Sequence, residues 1–349
     1  MSEPELRSGP PWITEEMVAA EPALTRTLLD TPPDGLSAFA GAVREAHGAG
    51  LPISVVGCGT SEHGAMAIAE LLSIALGGGW PAPAVSRQSL DAAEDPQRGG
   101  VCIGISHDGG TRATTLALEA AAGGGATTAL VTNVPDGPAA GPAEIVLVTP
   151  LHDDSWCHTV AYTSSILVGA ALARELGMGG VDGAAAETLF RDALDAGDDA
   201  AALGGAQRIV TAGTGLDYVT ARELALKIAE GARVGAAAFH LETLLHGHLA
   251  GEDAGTALVL VDSDRDSVRI GRRAGIAAAA VGEIGMPVVS LGGPPATALA
   301  APVARLLHGA AALQALTLGL VRARRVNPDL IRRDEEPYRR AGSAGDEDW

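Results

Sequence analysis

Short apolar runs recur along the chain, each followed by a turn and then by a stretch of helical periodicity. Residues 53–57, 101–106, 127–132 and 144–149 read as strands, and helices are expected over 14–30 (with Thr14 as N-cap), 36–49, 61–76, 111–122 and 162–176. A connection over 177–205 holds one helix. The pattern then restarts, with strands at 208–212, 256–261 and 287–291 and helices through Glu230, near 266–284 and over 302–321. These strand runs are apolar throughout rather than alternating, the mark of a parallel sheet covered on both faces.

Two turns stand out. Gly57-Cys-Gly-Thr-Ser61 and Gly213-Thr-Gly-Leu-Asp217 each join a strand to a helix and lie 156 residues apart, so the fold is read as duplicated. The expected architecture is α/β, two tandem three-layer α/β/α units of flavodoxin-like type with parallel sheets. The first unit spans 14–180 with its N-terminal helices, the second 200–326, and a charged tail or strap runs over 327–349.

Composition narrows the partners. The 349 residues are 47% apolar but only 3% aromatic, so packing through Ala and Gly is expected. A formal charge of −19 argues against nucleic acid or an anionic membrane and leaves a small molecule. Cys58, Cys102 and Cys157 lack metal-ligand spacing and read as buried thiols. With no basic leader and no run of roughly 18 uninterrupted apolar residues, the expected setting is the cytoplasm.

In open parallel sheets ligands gather at the carboxyl ends of strands, where helix N-termini favour anions. Gly59, Thr60 and Ser61 in the first turn, and Ser106, His107, Asp108, Gly109 and Thr111 in a second strand-to-helix loop, are candidates to hold phosphate or sugar hydroxyls. Ordinary turn chemistry needs the same residue types, and that reading stays open. A dinucleotide fingerprint is not met, because the third glycine of the first turn is misplaced. Glu223, Lys227 and Glu230 share one helix face, either as a solvated ladder or as a site, and Lys227 is the only lysine in the chain. His246 follows Glu230 by sixteen residues; His240, Glu242, His246 and His248 lack the helical histidine pair of a metal site, and neither metal nor cofactor is expected. A carboxylate with a histidine suits aldose–ketose chemistry, in which one group opens the ring and another moves a proton between C1 and C2.

Together these residues resemble the sugar isomerase (SIS) family, most closely the isomerase domain of glucosamine-6-phosphate synthase and fructosamine-phosphate deglycases, over residues 14–333. The resemblance is carried by residues 17–22, Gly57–Ser61, Ser106–Thr111, Thr132–Pro135, Glu223–Glu230 and His246-Gly247. It implies Glu230 as proton-shuttling base, Lys227 as its support, and His246 as ring-opening group supplied across a homodimer. It also implies substrate binding by Thr60, Ser61, Ser106 and Thr111. No glutaminase segment is expected ahead of these halves. Asp108 and Gly110 replace a serine and a glutamate of the family's phosphate loop, and Arg332 or Arg333 stands where the family has a tail lysine. A carboxylate about 4 Å from a phosphate costs about 4 kcal/mol at an effective dielectric of 20 unless His107 or Arg112 offsets it; the other reading is that Asp108 recruits a cationic or hydroxyl-rich substrate in place of phosphate. The implied function is isomerisation, or removal of an amine, on an amino- or keto-sugar or its phosphate. The alternative is a non-catalytic sugar-phosphate-binding regulator or scaffold.

Overall fold

The computed structural model describes residues 4–196, 200–264 and 267–344. The first half comprises α1 (Ile13–Asp30), α2 (Leu36–Gly48), β1 (Ile53–Gly57), α3 (Thr60–Ala75), β2 (Val85–Gln88) and α4 (Ser89–Glu94). It continues with β3 (Val101–Ile105), α5 (Arg112–Gly123), β4 (Thr127–Thr132), β5 (Ile145–Val148) and α6 (Val160–Glu175). Two helices, α7 (Gly183–Asp195) and the short α8 (Ala200–Leu203), form the connection where one was expected. The second half holds β6 (Arg208–Gly213), α9 (Leu216–Gly231), β7 (Gly235–His240), α10 (Leu241–Leu245), β8 (Thr256–Val261), α11 (Val268–Glu283), β9 (Val288–Leu291) and α12 (Ala301–Arg324). A final α13 (Glu336–Ser343) lies in the tail. The expected start of α11 at 266 and the tail from 345 lie outside the described residues.

Both sheets are parallel. Their orders, β2-β1-β3-β4-β5 and β7-β6-β8-β9, follow one plan in which the first strand lies inside and the chain reverses direction beside it. That reversal opens a crevice between β1 and β3 in one half and between β6 and β8 in the other. The two turns repeat almost to the degree: Gly59 has φ 58°, ψ −128° and Gly215 has φ 60°, ψ −125°. A Cβ on Gly57 would lie 2.3 Å from the Ser61 carbonyl oxygen, and one on Gly213 would lie 2.5 Å from the Asp217 carbonyl, so glycine is obligatory at the same place in both copies.

One core runs through both halves, joining Leu28, Phe39, Ile68 and Tyr162 to Ile209, Leu224 and Ile228. Small residues let the helices approach closely. A Cβ on Gly64 of α3 would come within 2.7 Å of Ser165 of α6. Long, apolar α12 has the length and composition of a membrane span, yet 72% of its most apolar window is buried inside the protein, where it packs on α6, α7 and α9. Thr14 is not the N-cap of α1; Trp12 is, and Thr14 instead donates to Asp329 of the tail.

Candidate functional site

A cleft of about 200 Å³ lies at the β1/β3 reversal. Its walls come from the Gly57 turn (Cys58, Gly59, Thr60, Ser61), the loop after β3 (His107, Asp108, Thr111), the segment entering α6 (Trp156, His158, Ala161), Glu230 of α9, and the tail (Ile331, Arg333). A larger cavity of about 690 Å³ between the N-terminal segment and α12 holds none of the candidate residues.

The loop after β3 is pinned from beneath. The backbone N–H of Asn133 and the hydroxyl of Thr132 donate to the His107 carbonyl at 2.9 and 3.0 Å, and Ala139 donates to the Gly109 carbonyl at 2.9 Å. Ser106 turns inward, only 1% exposed, and its hydroxyl donates to Thr111 at 3.2 Å. Ser106 and Gly109 therefore shape the loop without lining the cleft, whereas Gly59, Thr60, Ser61, His107, Asp108 and Thr111 line it.

On α9 the solvated-ladder reading fails, because Glu223 and Lys227 are 0% and 1% exposed. Lys227 Nζ lies 3.5 Å from Glu223 and donates to Glu230 at 2.6 Å. Glu223 also takes a contact from His63 Nδ1 at 2.6 Å and a hydrogen bond from Thr60 at 3.3 Å, which ties α9 to α3 across the two halves. Burial favours the neutral form of Glu223, but the Lys227 ammonium and His63 outweigh it and hold the carboxyl below its usual range. Burial likewise opposes charge on Lys227, but Glu230 and Glu223 raise its pKa far above the ordinary lysine value. Lys227 is thus a permanent ammonium and not an imine-forming amine. Glu230 is the member that reaches the cleft, its side chain 22% exposed.

The ion-pair partners of Asp108 are neither His107 nor Arg112. His152 Nε2 lies 3.3 Å from one of its oxygens and His158 Nε2 lies 3.7 Å from the other. His107 accepts the Asp153 backbone N–H at Nε2 (2.9 Å), and burial drives its pKa down to about 4, so it is neutral. Arg112 is exposed at the start of α5 and does not line the cleft.

The tail is a strap over this chain's own cleft. Asp329, fully buried, accepts the backbone N–H groups of Ile13 and Thr14 at 3.0 and 2.8 Å, fixing the strap on the N-terminus of α1. Beyond it Arg333 lines the cleft, its guanidinium 5.1 Å from the Trp156 ring, while Arg332 turns away onto Tyr338 and Glu335. His246 is not in the cleft: it caps α10, 72% exposed, 3.2 Å from Glu242. Cys102 and Cys157 are buried, with burial raising both thiols, but Cys58 is only partly covered and faces the cleft. His158, His152 and Trp156 escaped the sequence reading, although two histidines among acids after a strand of a parallel sheet were a usable signal.

No protein-family model and no curated protein matches the chain. Solved structures do. The tagatose-6-phosphate ketose/aldose isomerase from Escherichia coli aligns over 89% of this chain and 93% of its own, with TM-score 0.72 and 19% identity. The chain has the tandem sugar-isomerase fold. The C-terminal domain of glucosamine-fructose-6-phosphate aminotransferase from Francisella tularensis is similar over 93% of this chain and 99% of that domain (TM-score 0.71, 17% identity). Glucosamine-6-phosphate deaminase from Thermotoga maritima is similar over 91% and 96% (TM-score 0.65, 16% identity). At these identities it is the fold that is shared; in this chain the cleft lies at the first crevice.

Proposed function

We propose that this chain is a cytoplasmic enzyme that moves a proton between C1 and C2 of an amino- or keto-sugar phosphate, isomerising it or releasing an amine, with Glu230 as the base. The observation that carries this is Glu230 itself: a partly exposed carboxylate in a cleft rich in hydroxyls, 2.6 Å from a buried ammonium. The Lys227 ammonium donates to Glu230, which fixes that side chain at the edge of the cleft, and it remains beside Glu230 once the substrate proton has been taken. Glu223 and His63 hold Lys227 and Thr60 in place from behind.

The anionic group of the sugar fits the Gly59–Ser61 turn, where α3 begins and Arg333 faces the same space. Arginine suits phosphate as a permanently charged fork. The family resemblance brings His246 from a second copy of the chain, and a homodimer belongs to this reading.

The test is deuterium wash-in at C1 and C2 of fructose 6-phosphate and glucosamine 6-phosphate in D2O. The wild-type chain exchanges at least one of them, and Glu230→Gln slows exchange by roughly 100-fold or more. Binding of a sugar phosphate with no exchange favours the regulator or scaffold reading instead.

A further inference from the structure

We infer that His158 and Asp108 form the acid–base pair that opens the cyclic sugar in this chain's own cleft, with Asp153 as the positioning carboxylate behind His158. The inference rests on the proton-transfer reading above.

Two imidazoles line the cleft among the described residues, His107 and His158. His107 is spent, since its Nε2 already accepts the Asp153 N–H and burial keeps it neutral. His158 is placed otherwise. Its side chain is 18% exposed, with Nε2 toward the cleft beside Asp108 at 3.7 Å and Nδ1 toward Asp153 at 3.7 Å, an ion-pair distance. Asp153 is completely buried and is itself fixed by the backbone N–H groups of Thr159 (2.7 Å) and Ala161 (3.3 Å) at the start of α6. A buried carboxylate behind one ring nitrogen, with the other aimed into a cleft, is how a histidine is oriented and kept basic for proton transfer.

The charged groups facing His158 agree with that role. Burial works against its cationic form, Lys227 of α9 and the neighbouring His107 and His152 add nothing in favour, yet Asp153 and Asp108 outweigh them and raise it above the ordinary histidine value. With Asp153 behind Nδ1, it is Nε2–H that faces the cleft as the proton-bearing atom. Ring opening of a hemiacetal or hemiketal asks for two proton transfers at atoms bonded to one carbon. The anomeric hydroxyl gives up its proton as the C=O forms, and the ring oxygen leaves with the C–O electron pair and takes a proton. Asp108 receives the first and His158 Nε2–H supplies the second. Proton return from Asp108 to His158, across 3.7 Å, restores the starting state without any outside reagent. Asp108, out of place beside a phosphate, has work at the reducing end of the sugar.

The experiment compares a sugar that closes a ring with one that cannot. Deuterium wash-in is measured for the full chain on fructose 6-phosphate and on erythrulose 4-phosphate, which has no hydroxyl placed to cyclise. His158→Gln is expected to slow the hexose phosphate by roughly 100-fold while staying within about threefold of wild type on the acyclic sugar, and Asp108→Asn to show the same split. Glu230→Gln loses both. Full exchange of the hexose phosphate by His158→Gln, an equal loss on both sugars, or a ring-specific loss in His246→Gln but not in His158→Gln overturns the inference while leaving Glu230 as base. A wild-type chain inert toward both sugars overturns the proton-transfer reading and this inference together. Asp153→Asn separates positioning from mere packing. It is expected to move the 15N-NMR titration of His158 to lower pH, and an unmoved titration contradicts its role.

Discussion

The two crevices of this molecule start from one backbone plan and end differently. At the first, the turn places Ser61 where the second places Asp217, four residues after the obligatory glycine in both copies. Ser61 lines an open cleft. Asp217 instead accepts the Ser263 backbone N–H at 3.1 Å and the Arg305 guanidinium at 3.1 Å, while Arg305 Nε donates to Ser263 at 2.7 Å. The second crevice is thus bridged by the chain's own ion pair, and α9 serves the first cleft with its other end, through Glu230. One backbone plan occurs twice, open in the first copy and bridged by a strut in the second.

Removing the strut gives the largest expected effect. Arg305→Ala leaves Asp217, whose side chain is 3% exposed, without its counter-charge, and urea unfolding should show a loss of about 3–5 kcal/mol. Ser61→Ala, the matching change in the open copy, should cost less than about 1 kcal/mol. Equal losses would break the distinction between strut and site.

Making the first turn like the second comes next. Ser61→Asp puts a carboxylate where the anionic end of the sugar is placed. Calorimetric titration with fructose 6-phosphate should show a loss of about 2–3 kcal/mol, roughly 100-fold. Unchanged affinity would move the phosphate elsewhere in the cleft.

The seam between the halves carries a smaller, pH-dependent effect. Glu21 of α1 is fully buried between Thr163 of α6 and Gln314 of α12, accepting from both, and burial pushes its pKa up to about 8. Its folded value lies above its unfolded one, so the native state holds a proton that the unfolded chain releases. The stability is therefore full below about pH 4.5 and is lost as pH rises through about 8. Glu21→Gln should remove this alkaline decline, on the order of 2 kcal/mol between pH 6 and 9 in thermal unfolding. A decline identical to wild type would show that Glu21 is already ionised.

Much of this plan was legible in the chain itself. Fully apolar runs marked the central strands, and Gly57 and Gly213 marked the turns, because a parallel sheet buried on both faces leaves few other patterns. The edge strands were not legible. Val85–Gln88 is half exposed and Gly235–His240 is mostly glycine and alanine, so pairing with a neighbour rather than side-chain pattern makes them strands. Spacing put Glu223, Lys227 and Glu230 on one face but cannot tell a buried face from a wet one; the packing of α9 on α3 and α12 decides that. The cluster of His107, Asp108, His152, Asp153 and His158 is assembled from two loops, and only the fold brings them within 4 Å. His246 was readable as a motif, but a single chain leaves it on the surface.

The central claim is that the first crevice binds the sugar and the second does not. Amide chemical-shift mapping on adding fructose 6-phosphate tests it directly. The account predicts shifts at Gly59, Thr60, Ser61 and Thr111 with Asp217 and Ser263 unmoved; shifts confined to Asp217, Ser263 and their neighbours would contradict it.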